Sequence, residues 1–188
     1  MPKEFSAAGR PPPARDIESP PMGPISAEVT IDAPRESVWL LISDLALRPS
    51  FCDHFQSEFR LERIESSGVG SSARFRVEAP RMQFWMETVV EEIDEPHRLF
   101  ERGGGGRLDR VPIHTVWELA EGAGQTTDAQ VTFWTEPASH FDRLRERLGA
   151  RRWYRRQWRE ALRRLRGLAE SGEAIEPVGV AGGDPLPR

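Results

Sequence analysis

The sequence predicts an α+β domain: a curved antiparallel sheet of about seven strands wrapped round one long C-terminal helix, with two short helices after the first strand. Three observations carry this. A strand-like segment turns sharply into a helix near residue 33. Further strand-like segments follow, separated by short Gly- and Pro-containing turns, which implies antiparallel neighbours. A helical stripe then begins at about residue 138.

The first strand is read from Ile25, Ala27, Val29 and Ile31, which alternate with Ser26, Glu28 and Thr30 at the period of a half-buried strand. Asp32 is suited to cap the next helix, and Pro34 to enter its first turn, where a missing N–H costs nothing. Val38, Leu41, Ile42 and Leu45 form one apolar helical stripe. Pro49 breaks the chain, and Phe51 and Phe55 suggest a second short helix. Strands are expected at about 57–65, 71–78, 82–93, 98–102, 112–120 and 127–136. Gly68 and Gly70, Pro80, Pro96, Gly103 to Gly106, and Gly122 and Gly124 punctuate them. The last helix carries Phe141, Leu144, Leu148, Tyr154, Trp158, Leu162, Leu165 and Leu168 on or near one stripe, with Gly149 a candidate kink.

This opening resembles the START-like, or Bet v 1-like, superfamily, which includes the polyketide cyclase/dehydrase and lipid transport proteins. Its members begin with a strand, an I-x-A-P-x-x-V-W entry to a helix, and then an Asp. Ile31, Ala33, Pro34, Val38, Trp39 and Asp44 follow that order, with one extra residue between Pro34 and Val38. Gly68-Val69-Gly70 before a strand, Asp94 to Leu99 at a hairpin, and Thr115-Val116-Trp117-Glu118-Leu119 on a strand continue the resemblance. It covers about residues 25 to 170 and implies a helix-grip fold with a cavity between sheet and helix. Lipid carriers, cyclases, quinone-binding proteins and hormone receptors share that fold, so the resemblance implies architecture more sharply than activity.

Composition limits the alternatives. The 188 residues, 38% hydrophobic and 30% charged, suit one domain with a sizeable core. Residues 1–24 and 171–188, rich in Pro and Gly, read as tails outside the 25–170 domain. No apolar run is long enough for a membrane span, and no export signal is read at the N-terminus. Cys52 is the single cysteine, which suits a reducing cytoplasm. Net charge is −4, yet residues 141–170 hold eleven Arg against four acids.

Strand parity predicts which side chains face the cavity. Phe75 and Val77 share a face, as do Met82, Phe84, Met86 and Thr88, then Thr115 and Trp117, then Val131 and Phe133. With Phe59, Phe100, Arg102, Tyr154 and Trp158 they form the expected ligand-binding set. An apolar lining with few polar groups suits an apolar or aromatic small molecule, and methionines let such a surface adapt. Polyketide cyclisation or dehydration in the same cavity is the alternative that the resemblance implies.

No catalytic residue is assigned. His114 sits on a strand, but parity turns it outward, opposite Trp134. Cys52, Asp53 and His54 adjoin one another without a second cluster at ligand spacing, so no metal is expected. Gly103 to Gly106 lacks the Lys-Ser/Thr of a phosphate cradle and reads as a hairpin at the cavity mouth; no cofactor is expected. Arg102 can hold a ligand oxyanion or form a rim ion pair with Glu87 or Glu91. Arg155 and Arg159, among the Arg residues of the last helix, offer either a solvated face or a surface for nucleic acid, ribosome or anionic membrane.

Overall fold

The strand that opens the domain, β1 (Met22–Ile31), pairs antiparallel with the last strand, β7 (Thr127–Thr135), rather than with a sequence neighbour. The chain between them supplies β2 (Gln56–Leu61), β3 (Ser72–Ala79), β4 (Met82–Asp94), β5 (Arg98–Gly105) and β6 (Val111–Glu121). They form one antiparallel sheet in the order β1-β7-β6-β5-β4-β3-β2. The computed structural model describes residues 22–80, 82–105, 111–136, 150–173 and 175–178. The expected helix start near 138, with Phe141, Leu144, Leu148 and the Gly149 kink, lies outside them. So do Gly106, His140, the side chain of Met82 and most of both tails.

After β1 come α1 (Arg35–Ser43), a 3₁₀ turn (Leu45–Leu47) and α2 (Pro49–Cys52). Pro49 does not break the chain but starts α2, where its fixed φ suits a first helical turn. Asp32 is not the cap of α1. Pro34 holds that position with no side-chain bond, and its carbonyl accepts the Ser37 and Val38 N–H groups. The Asp32 N–H instead donates to Glu170 Oε1 at 3.0 Å. The carboxylate that does cap is Asp44, which accepts the Ala46 N–H at 2.9 Å and so opens the 3₁₀ turn.

The long helix α3 (Arg151–Ser171) buries Tyr154, Trp158, Ala161, Leu162 and Leu165 against the sheet. It stops at Gly172, whose φ of 63° allows its N–H to donate to the Leu168 carbonyl. Trp158 anchors the packing. Its ring meets Phe55 at 5.2 Å, Trp117 at 5.7 Å and Phe133 at 5.9 Å between centroids, within the range of favourable aromatic pairs.

Besides an irregularity in β1 between Met22 and Ile25, two departures from regular pairing shape the sheet. Register shifts in β4 between Val90 and Glu92, and in β2 between Ser57 and Arg60. At the second, Glu58 has φ of 50°, a left-handed conformation uncommon outside glycine. The glycines read as a hairpin are also different in the structure: Gly103, Gly104 and Gly105 belong to β5 and pair with both β4 and β6. A Cβ at Gly103 would overlap the carbonyl oxygen of Glu87, so glycine here permits close approach of two strands.

Candidate functional site

The concave face is built by alternation. On β7, Thr127, Ala129, Val131, Phe133 and Thr135 are buried while the residues between them are not. Trp117 faces the same side from β6, and Phe75 and Val77 from β3. Between this face and α3 lies a gap lined by Phe55, Phe75, Val77, Met86, Ile113, Phe133, Tyr154 and Trp158, with Arg48, Gln56, Thr88, Glu101 and Thr115 as its polar members. The space open to the centre of a water-sized sphere is about 10 Å³, roughly one water molecule. Anything larger would need side chains to move aside.

The centre of the site is an ion pair that sequence reasoning missed. Arg48, in the turn before α2, and Glu101 on β5 are each 2% exposed. Arg48 Nη2 donates to Glu101 Oε1 at 2.7 Å, and Nη1 reaches Oε2 at 3.4 Å. Thr88 Oγ1 donates to Oε2 at 2.9 Å, and Trp117 Nε1 donates to Oε1 at 3.1 Å. The Glu101 carboxylate therefore accepts from four donor atoms. Arg48 is fixed further by donation to the Ile42 carbonyl at 3.2 Å and by lying 5.1 Å from the Trp117 ring centroid. Burial works against the Arg48 charge, but Glu101 outweighs it and raises the guanidinium above its ordinary value.

Residues 22–170 match the family described as "Polyketide cyclase / dehydrase and lipid transport". The chain belongs to this family. Among solved structures, a Thermus thermophilus protein aligns at 19% identity and TM-score 0.65, over 80% of this chain and 99% of its own. A START superfamily protein from Mycobacterium smegmatis gives 15% identity and 0.59 over 80% and 99%. The major latex-like protein 151 of Panax ginseng gives 12% and 0.60 over 78% and 97%. At such identities these likenesses establish the helix-grip fold alone. No curated protein sequence matches the chain.

In this member of the polyketide cyclase/dehydrase and lipid transport family, the structure brings most of the expected set to the concave side. Phe75, Val77, Met86, Thr88, Thr115, Phe133, Tyr154 and Trp158 line the gap. Trp117 and Val131 are fully buried behind it. Phe59 is stacked on Phe75 at 5.6 Å, and Phe84 is half-buried against the core. Met82 lies on β4, opposite Ala79.

Phe100 and Arg102 are corrections. Leu99 pairs with Trp117 and Glu101 with Thr115, so those two face inward and Phe100 and Arg102 face outward. Phe100 joins His114 and Trp134 in a stacked row on the convex face, at 5.9 and 4.8 Å between successive rings. Arg102 is largely exposed, 3.7 Å from Glu91; of its two readings, the rim ion pair is the one seen. Trp85 is covered by Arg74 at 5.3 Å from its centroid. Trp153 is half-buried between Phe55 and Tyr154 rather than left over.

Cys52, Asp53 and His54 diverge. Asp53 is exposed and pairs with Arg164. His54 Nε2 lies 3.2 Å from the Gln157 carbonyl, and burial lowers the imidazole pKa despite that contact. Cys52 is wholly buried, which pushes its thiol up to about 12, with Arg48 only partly opposing. A thiol of that kind is a poor nucleophile. Native protein at pH 7.5 should resist thiol reagents that modify it fully in urea. The folded state holds this proton more tightly than the unfolded one. The thiol's contribution to stability is thus complete below pH 9 and declines between about 9 and 12. Replacing Cys52 by Ala should remove that decline from a pH series of denaturant melts.

The outer face of α3 is basic. Arg152, Arg155, Arg156, Arg159 and Arg163 border an open groove with His54, Gln157 and Glu160. Glu160 is held at about 2 by its hydrogen bonds from Arg163 and Arg164. Arg155 and Arg159 form no ion pair among the described residues.

Proposed function

We propose that this chain binds an apolar or aromatic small molecule, of lipid, polyketide or quinone type, between the sheet and α3. The observation that carries the reading is the gap itself. Aromatic, aliphatic and thioether side chains from the sheet, α2's C-terminal flank and α3 converge on it, around one buried polar cluster. That is the composition of a small-molecule site, and the family description supports it. Binding proceeds with displacement of side chains such as Met86, whose thioether chain repacks readily.

Cyclisation or dehydration on the same ligand is the alternative within the family. It needs a group free to move a proton. Glu101 has its oxygens engaged by Arg48, Thr88 and Trp117, which favours holding and shaping a ligand over acid–base work.

Native mass spectrometry of protein purified from its own host, followed by organic extraction, tests the reading. A retained apolar compound is the expected result, with loss of affinity in Trp117→Ala and Phe84→Ala. Protein that arrives empty and gains no thermal stability from any apolar compound offered would overturn it.

A second reading concerns Arg155 and Arg159 on α3, which no acid neutralises among the described residues. If this face meets a polyanion, retention on heparin should fall steeply with salt. The double change Arg155→Glu and Arg159→Glu should abolish it while leaving stability within about 0.5 kcal/mol. Equal retention of both proteins would leave the face as solvated surface.

A further inference from the structure

We infer that the gap takes the oxygenated end of an uncharged molecule, with a carbonyl-type oxygen accepting from Arg48 Nε and Trp158 Nε1. This rests on the ligand-binding reading above and specifies the chemistry of its polar end.

Charge comes first. Arg48 and Glu101 already neutralise one another at 2.7 Å, deep in the fold. Glu101 takes further bonds from Thr88 and Trp117. The cluster therefore has no surplus positive charge with which to draw a carboxylate out of water, and burying an unpaired ion is costly.

Unspent hydrogen bonds come second. Arg48 Nε, Trp158 Nε1 and Gln56 Oε1 are buried with no partner among the described residues. Their side chains belong to residues 2%, 2% and 4% exposed, and all three residues line the same gap. Native proteins rarely leave buried polar atoms unpaired. These three come from separate elements: the turn before α2, the long helix α3 and the edge strand β2. Their convergence is a property of the site rather than of one loop.

Geometry then separates the groups. Arg48 is pinned by Glu101, the Ile42 carbonyl and the Trp117 ring. Trp158 is pinned by Phe55, Trp117 and Phe133. Both are donors that cannot become acceptors. The Gln56 amide can turn to offer oxygen or NH₂, so it accommodates a neighbouring hydroxyl or a second carbonyl. Two fixed donors beside one adaptable amide select an acceptor oxygen on a neutral, otherwise apolar body.

The test uses three naphthalenes of matched shape and the full chain: 2-acetylnaphthalene, 2-isopropenylnaphthalene and 2-naphthoate. Affinities are measured by calorimetry, and tryptophan indole N–H signals by NMR, with Trp158 assigned from Trp158→Phe. The ketone should bind about tenfold or more tighter than its isopropenyl isostere and tighter than the carboxylate. The Trp158 indole signal should move downfield with the ketone alone. In Trp158→Phe the ratio of ketone to isopropenyl affinity should fall toward one, because any loss of ring packing is shared by both compounds. Should that variant fail to fold, the wild-type affinities and indole shift decide the matter. Equal binding of ketone and isostere overturns the inference but leaves the apolar site standing. Tightest binding of naphthoate overturns it in favour of charge recognition. If none of the three binds, the inference is overturned, and the ligand-binding reading is decided separately by the extraction experiment above.

Discussion

Replacing Glu101 by Leu should destabilise the protein by about 3–5 kcal/mol, the range for breaking a buried ion pair from one side. The change leaves the Arg48 guanidinium buried without a counter-charge and removes the acceptor of Thr88 Oγ1 and Trp117 Nε1. Denaturant melts followed by tryptophan fluorescence would measure it. The double variant Arg48→Met with Glu101→Leu provides the discriminating comparison. If the pair exists for stability, the double variant should be at least as impaired as the single one. If it exists to furnish a polar floor for a guest, stability should return to near the starting value or exceed it, because apolar replacements of buried pairs are often neutral or stabilising. Ligand affinity should then be lost although the fold is retained, and that outcome is expected here.

Gly103→Ala should cost about 3 kcal/mol, the upper end for overpacking. The added carbon would overlap the Glu87 carbonyl oxygen and lie 2.8 Å from the Glu87 carbonyl carbon and 3.0 Å from Thr88 Cα. Those are backbone atoms of the paired strand, so β4 and β5 must separate, and Thr88 is drawn away from Glu101. Gly105→Ala provides the control. Its carbon would meet Met86 Cγ at 3.0 Å, a side chain that borders the gap and can swing into it. Its cost should lie at the low end of the overpacking range, about 1 kcal/mol. Thermal melts of both variants would show whether the two glycines differ as this geometry requires.

Much of the architecture was legible in the chain. Strands bounded by Gly and Pro declare themselves through period-2 alternation, and parity placed Phe75, Met86, Thr88 and Phe133 on one face without knowledge of their partners. It turned His114 outward for the same reason, and the structure seats it opposite Trp134. Parity fails where an alternating segment offers an apolar residue on both phases. Arg98-Leu99-Phe100-Glu101-Arg102 does so, and the larger Phe100 invites an inward reading. The pairing of Leu99 with Trp117 decides otherwise, and it places Glu101 inside. A buried carboxylate makes sense only beside its partner, and Arg48 lies fifty-three residues earlier, on the other side of the hairpins. No local pattern joins the two. The nearest local sign was Arg48 itself, a lone charge within Leu45-Ala46-Leu47-Arg48-Pro49-Ser50-Phe51. The orphaned atoms of Trp158 and Gln56 were likewise beyond reach, since each side chain alone looks like ordinary core.

The bulge in β2 has a further consequence for how copies of this protein meet one another. β2 ends the sheet, and a flat, open strand there would be a template for pairing with a second chain. The shift between Ser57 and Arg60 and the left-handed turn at Glu58 interrupt its row of donors and acceptors. Glu58 and Arg60 put charge on the same rim, and Glu58 is held by Arg76 at 2.6 Å. Kinks and charges of this kind guard edges against sheet-to-sheet growth. The strand that contributes Gln56 to the gap is thus also the sheet edge whose irregular backbone and charges disfavour pairing with a second chain.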